Sequence, residues 1–170
     1  MATFNVGSDP QAAYEMFEAK WPWAPSLLPY DTNRRCPLKA EDLDLADRGM
    51  TPAARFLAAP LREYHHATRH QTEDGGLSIP DALTIIMLAH PEIAEMQELP
   101  VTVDIGGSAA WGMTVFDLRG EFIDRMPAET QAAMREELFG GKPVWNVARK
   151  ADRDVFRSHL RDLFGDPVPG

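Results

Sequence analysis

Asp81 stands in "LSIPDALTIIMLAHPEI" (residues 77–93), directly after a proline and directly before an almost unbroken apolar run. A carboxylate at such a place has two uses. It can sit in the first turn of a helix, where the positive end of the helix dipole favours it by roughly 0.3–1 kcal/mol. It can also be a hard oxygen donor to a metal ion at the mouth of a cleft, which requires partners elsewhere in the chain. In the first use Ser78 caps the helix, and Pro80 and Asp81 fill its first turn. Glu73 and Asp74, on the preceding loop "QTEDGG", are further carboxylates that an ordered loop could add.

Other chemistry-bearing residues are more quickly weighed. "YHHATRH" sets His66 and His70 at i, i+4 with His65 beside them, a spacing that can hold a transition metal. No glutamate lies between them in the zinc-protease pattern, so a polar helix face running into a loop is the plainer reading and a substrate contact the sharper one. Cys36 lies in "RRCPL" with no histidine near it, and no G-x-S-x-G elbow is present. "DIGGSAAWG" lacks both nucleotide-loop patterns and reads as a hairpin turn. Trp21, Trp23, Trp111 and Trp145 are expected to pack rather than to stack on bases.

Composition narrows the partners. The chain has 170 residues and a net charge of -9, so an acidic surface repels both a nucleic-acid backbone and an anionic membrane. The same charge leaves carboxylates for a hard cation. A single cysteine excludes an internal disulfide and a Cys-rich zinc site, which fits a reducing cytoplasm. No basic apolar leader and no membrane-length apolar stretch are present, which predicts a soluble, cytoplasmic protein. At this length a single domain over 1–170 can bury roughly 70% of the surface its unfolded chain exposes.

The elements that must position these residues follow from pattern and punctuation. "SDPQAAYEMFEAK" predicts a helix capped by Asp9, with Pro10 in its first turn and Ala12, Ala13, Met16 and Phe17 on one apolar face. "WAPSLLPYDT" predicts a short buried strand, and "KAEDLDLADRG" a polar helix stopped by Gly49. "TPAARFLAAPLREYHHATRH" predicts a helix capped by Thr51 and kinked at Pro60. "LPVTVDIGG" and "WGMTVFDLRG" alternate apolar and polar residues and predict a β-hairpin. "IDRMPAETQAAMREELFGG" reads as a surface helical insertion, "KPVWNVARKAD" as a last strand, and "ADRDVFRSHLRDLFG" as a closing helix with Val155, Leu160, Leu163 and Phe164 inward. Helices and strands alternate, so the class is α/β.

In this order the segments resemble the C-terminal half of the inosine-uridine preferring nucleoside hydrolases. "FNVGSDPQAA" resembles that family's Phe-Asn segment followed by a D-P-x-A-A helix, and "TPAARFLAAPLREY" its F-L-x-x-L-x-x-F-Y helix. "PDALTIIMLAHPEI" is similar to its H-D-P-L-A-V-A-x-L-x-x-P segment. "VTVDIGGSAAWGMTVFDLR" is similar to its V-x-V-E-T-x-G-x-x-x-x-G-x-T-V-x-D-x-R hairpin, and "WNVARKADRDVFRSHL" to N-V-x-V-A-x-x-V-D-x-x-x-F. The resemblance implies an open mixed sheet flanked by helices, with the hairpin and the closing C-terminal helix at its end. It implies hydrolysis of the N-glycosidic bond of ribonucleosides at a calcium ion held by aspartates, with Asp81 as a calcium ligand and Asn5 as a ribose-binding residue.

Two departures from the family pattern bear on activity. The D-x-D-x-x-x-D-D motif, which in the family supplies most calcium ligands and the general base, does not occur in the chain. Pro80 stands where many members carry a histidine or tryptophan, and Thr3 where the family has an acidic residue. The expectation is a chain inactive on its own, unable to hold calcium alone. It is either completed by an N-terminal half or is a non-catalytic remnant serving as a binding or oligomerisation module. Half of an open sheet exposes an edge and an apolar face, so a homo- or hetero-oligomer is expected.

Overall fold

Proline and glycine punctuation becomes element boundaries in the structure, a computed structural model that describes residues 2–72 and 74–165. In chain order the first elements are α1 (Phe4–Ser8), α2 (Pro10–Glu18), β1 (Ser26–Leu27), α3 (Tyr30–Arg34), α4 (Ala40–Arg48) and α5 (Pro52–Thr68). They are followed by α6 (Pro80–Ala89), β2 (Ala94–Val103), β3 (Thr114–Phe116), α7 (Arg119–Ile123), α8 (Ala128–Phe139), β4 (Val144–Ala151) and α9 (Arg153–Phe164). The chain packs as two compact units: residues 1–27 with 97–147, and residues 28–96 with 148–170.

The first unit holds the paired strands. Their order is β1-β4-β2-β3; β1 runs parallel to β4, and β2 pairs antiparallel with β3. This is the expected mixed sheet. The predicted hairpin is present, with Val101 opposite Phe116 and Val103 opposite Thr114. Alternation along β2 sends Leu99, Val101 and Val103 into a core with Phe17, Trp145 and Val147. Phe17 and Trp145 meet at 4.6 Å between ring centroids, and the Trp145 indole N–H donates to the Phe17 carbonyl. Helix α8 buries none of its residues, which agrees with its reading as a surface insertion.

The second unit is helical. Its core joins Leu38, Leu43, Leu45 and Ala54 to Leu77, Leu83, Met87, Phe156, Leu160 and Phe164. The Thr51 hydroxyl accepts from the Ala54 N–H, the cap that the sequence predicts, and Asp152 accepts from the Asp154 and Val155 N–H groups at the start of α9. Gly49 ends α4 at φ 64°, a left-handed conformation that a Cβ would strain. Pro60 lies within the unbroken span of α5, where its missing N–H leaves one helical hydrogen bond unmade.

Several expectations are corrected. The β1 region is a two-residue strand, exposed at Ser26 and half-buried at Leu27, because Pro25 and Pro29 leave no room for a longer ladder. Leu163 is 47% exposed, and α9 turns Phe156 and Arg157 inward instead, with Val155 only partly buried. Arg157 can be buried because two carboxylates meet it. Its Nε donates to Asp42 Oδ2 at 2.6 Å, and its Nη2 reaches Glu41. Of the four tryptophans only Trp145 is buried; Trp21, Trp23 and Trp111 are 45%, 69% and 49% exposed. On α2, Ala12 and Met16 face solvent and Phe17 alone is fully buried.

Candidate functional site

Helix α6 begins at Pro80, and Asp81 occupies its first turn with an exposed side chain. Ser78 does not cap it. The N-cap position is Ile79, which makes no side-chain cap bond, and Thr84 Oγ1 donates back to the Pro80 carbonyl at 2.9 Å. Ser78 is occupied otherwise: its hydroxyl oxygen accepts the Asn33 Nδ2–H from α3. Just upstream, Leu77 and Leu38 exchange N–H···O bonds of 2.8 and 2.9 Å. Together these contacts fix where α6 starts, and so where Asp81 stands. Asn33 is 1% exposed, and its Oδ1 has no hydrogen-bond partner among the described residues. Nothing in "PYDTNRRC" signals this positioning role, because a buried asparagine and a solvated one look alike in sequence.

Asp74 accepts from the Gly76 N–H at 3.2 Å and lies 3.5 Å from Arg153 Nη1. With Asp31, Arg34, Arg35 and Arg153 it lines a charged cavity of about 410 Å³. Glu73 lies outside the described residues. His65 Nε2 is 2.8 Å from the Gly75 carbonyl, tying α5 to the loop before α6, while His66 and His70 are exposed. Among the described residues no group of three or more His, Cys, Asp or Glu is placed to hold a metal ion. The described residues therefore do not by themselves fit calcium, which takes roughly 6–8 oxygen ligands.

Asn5 belongs to the first unit and lies exposed in the single-turn helix α1. Thr3 is the N-cap of that helix and makes no side-chain cap bond. Asn5 and Asp81 are thus both solvent-facing, each in its own unit.

The hairpin loop carries a carboxylate with a structural task. Asp104 accepts from the Gly106 N–H at 2.8 Å and from the Ser108 hydroxyl at 2.6 Å. The Ser108 bond, then the Gly106 bond, holds the Asp104 carboxyl below its ordinary pKa. Past β3, Arg119 bonds Asp117 through Nε at 2.9 Å and lowers its pKa in the same way. That ion pair borders a cavity of about 630 Å³ whose apolar side includes Tyr14, Val101, Phe116 and Leu118. Sequence reasoning had no access to this cavity. Its lining comes from α2 through Tyr14 and Glu18 and from the β2–β3 hairpin through Val101 and Phe116.

Comparison with known proteins adds kinship to this geometry. A family model described as inosine-uridine preferring nucleoside hydrolase matches residues 1–158. The inosine-uridine preferring nucleoside hydrolase of Crithidia fasciculata is 21% identical over 152 residues, covering 89% of this chain and 48% of that protein. The non-specific ribonucleoside hydrolase RihC of Klebsiella pneumoniae is 28% identical over 139 residues, covering 82% and 43% respectively. Among solved structures, a plant nucleoside hydrolase, the PpNRh1 enzyme, superposes with a TM-score of 0.73 at 19% identity, covering 96% of this chain and 47% of that one. A purine-preferring ribonucleoside hydrolase from Gardnerella vaginalis gives 0.73 at 20% identity, covering 96% and 46%. The chain spans about half the length of the curated relatives it matches.

Proposed function

The chain belongs to the inosine-uridine preferring nucleoside hydrolase family, and from that premise we propose that it forms the C-terminal part of a calcium-dependent ribonucleoside N-glycosidase, incomplete as it stands. The observation that carries this reading is a family match over residues 1–158 in a chain spanning about half of its relatives' length. The substrate class is a purine or pyrimidine ribonucleoside, and the products are base and ribose. Water oxygen bonds to the ribose anomeric carbon, the bond from that carbon to the base nitrogen breaks, and its electron pair leaves with the base. The sugar passes through an oxocarbenium-like transition state, so contacts to ribose weigh as much as contacts to base.

In this reading Asn5 hydrogen-bonds ribose hydroxyls through its amide, which both donates and accepts. Asp81 is this chain's one calcium donor. Bound calcium would position and acidify the attacking water. The remaining carboxylates and the general base come from an N-terminal half carrying the D-x-D-x-x-x-D-D motif. The complete protein works in the cytoplasm as a homo- or hetero-oligomer, with neither nucleic acid nor membrane as partner. This chain's net charge of -9 weighs against a nucleic-acid or anionic-membrane partner, and among the described residues no helix is long and apolar enough to cross a membrane.

A second reading is favoured by Pro80 and Thr3. Proline has no proton to give the leaving base and no aromatic ring to stack on it, and threonine brings no charge. On those grounds the chain is a non-catalytic remnant that binds or oligomerises. One assay separates the two: ribose release from inosine, uridine and adenosine, with and without calcium, by the chain alone and with a motif-bearing partner polypeptide. Calcium-dependent release that appears only with the partner, and is lost in Asp81→Ala, supports the split enzyme. No release in any combination supports the remnant.

A further inference from the structure

We propose that the charged cavity between α3, the loop before α6 and the start of α9 binds a small phosphate monoester whose organic part donates hydrogen bonds. Its phosphate meets Arg34, Arg35 and Arg153, and its donor meets Asp31. Every lining residue belongs to the second unit, and neither Asn5 nor Asp81 is among them. This chemistry is independent of whether the chain contributes to an N-glycosidase.

Three guanidiniums and two carboxylates share this cavity of about 410 Å³, in a chain whose net charge is -9. Arg153 has a carboxylate at 3.5 Å, that of Asp74. Arg34 lies over the Tyr30 ring at 5.8 Å, and among the described residues neither its guanidinium nor that of Arg35 makes a hydrogen bond or an ion pair. Two unmatched charges on planar donor forks suit a phosphate monoester, which carries about -1.5 to -2 charge at pH 7 and three acceptor oxygens. A carboxylate ligand has one charge and two oxygens, so a single fork would satisfy it and leave the other guanidinium unmet. Asp31 likewise has no partner among the described residues. An ionised carboxylate only accepts, so beside a bound phosphate it selects a ligand carrying a hydroxyl or an ammonium.

The walls are held by bonds that need no ligand. On α3 the buried Thr32 hydroxyl donates to the Ala148 carbonyl at 2.7 Å, and the Arg35 N–H donates to the Thr32 carbonyl at 3.2 Å. A Cβ at Gly76 would stand 2.6 Å from the Leu38 carbonyl oxygen and 2.7 Å from Pro37 Cβ, so only glycine lets the loop close against this wall. The Gly76 N–H in turn holds Asp74 Oδ1. Arg153 opens α9, a helix of 12 residues whose N-terminal end adds partial positive charge. Guanidiniums that start from a pinned backbone lose less freedom when they close on an anion. The volume falls at the small end of ligand pockets, roughly 300–1,000 Å³, which suits a metabolite. A polyanion would meet the repulsion of the acidic chain around it.

The test is titration calorimetry of the full chain with inorganic phosphate, ribose 5-phosphate, phosphoethanolamine and, as the unphosphorylated control, ribose. The expected result is saturable binding of a monoester, about tenfold tighter than inorganic phosphate, and no binding of ribose. Whichever monoester binds tighter identifies the donor that Asp31 takes. Arg34→Gln/Arg35→Gln is expected to weaken the monoester by more than about tenfold. Arg48→Gln/Arg125→Gln removes the same charge from exposed positions elsewhere and should weaken it by less than about twofold. Arg34→Lys/Arg35→Lys keeps the charge without the forks and should fall between the two. It also replaces the glutamine pair if circular dichroism shows that pair unfolded. Asp31→Ala should remove the monoester's advantage over inorganic phosphate without weakening inorganic phosphate itself. Absence of monoester binding, equal loss in the two glutamine pairs, or ribose bound as tightly as ribose 5-phosphate would each overturn the site. An Asp31→Ala protein that keeps the full advantage would overturn the donor half of the assignment.

Discussion

Single residues here divide by whether their charge is met inside the protein. Asp42 is fully buried, and it accepts from Arg157 and from the Lys39 N–H at once. Removing one partner of such a pair strands the other charge, at a cost of about 3–5 kcal/mol. Asp42→Ala is expected to lower unfolding free energy by that amount in urea titrations. Asp81 is the opposite case: exposed, and without a hydrogen bond or ion pair among the described residues. Asp81→Ala should change stability by less than about 1 kcal/mol, since only the dipole interaction is lost. Large destabilisation by Asp81→Ala would mean that the aspartate is structural. Asp104 and Asp117 set an acid dependence. Hydrogen bonds from Ser108 and Gly106, and from Arg119, hold their pKa values below the ordinary 3.8. The folded-state pKa is lowered, so each contributes stability above the unfolded value that is lost as pH falls through the folded one. Carboxyl NMR titration should place both midpoints below 3.8, and Ser108→Ala should raise that of Asp104. Cys36 is 1% exposed, and burial pushes its thiol pKa up. Alkylation by iodoacetamide should therefore be slow until the protein unfolds.

At the scale of elements, stability concentrates where helix ends are tied to other elements. The Thr51 hydroxyl accepts from the Ala54 N–H and donates to the Leu163 carbonyl at 2.8 Å, joining the start of α5 to the end of α9. Thr51→Ala breaks both bonds and is expected to cost about 1–2 kcal/mol, read as a lowered midpoint in thermal or urea unfolding. Replacement at this exposed-side hydroxyl without measurable loss would show that water substitutes fully for it. Helix α6 obtains its position from bonds outside itself: the Leu38–Leu77 pair and the Asn33–Ser78 contact. Ser78→Ala leaves the Asn33 amide without that partner. The same helix has two apolar sides, only one of which is covered by its own unit.

At the scale of the molecule, exposed apolar surface is the dominant feature. Phe4, Phe56 and Trp23 are 88%, 78% and 69% exposed, and Ile85 and Leu88 are 65% and 63% exposed. Such surface favours association. Sedimentation of the purified chain is expected to show self-association or binding of a hydrophobic dye; a dye-negative, concentration-independent monomer would contradict this. The chain alone is expected to release no ribose from inosine, uridine or adenosine, with or without calcium. The described residues place no group of three metal-binding side chains together, and hydrolysis near neutral pH needs an activated water and a base to take its proton.

The sequence by itself determined the class, most element positions and the family. Local signals suffice for these: Asp9 and Thr51 before prolines, Gly49 after a helix, and period-two alternation in "VTV" and "TVF" are each read within a few residues. The order of five such segments carried the kinship that the family match bears out. Tertiary structure decided what depends on distant partners. Arg157 turned inward because Asp42, 115 positions away, was there to meet it. Ser78 left its helix because Asn33 donates to it from α3. Trp21 and Trp23 remained 45% and 69% exposed, whereas Trp145 is buried against Phe17 from α2. Burial of a polar or aromatic side chain is fixed by who sits opposite, and that neighbour is chosen by the fold rather than by the residues alongside in the chain.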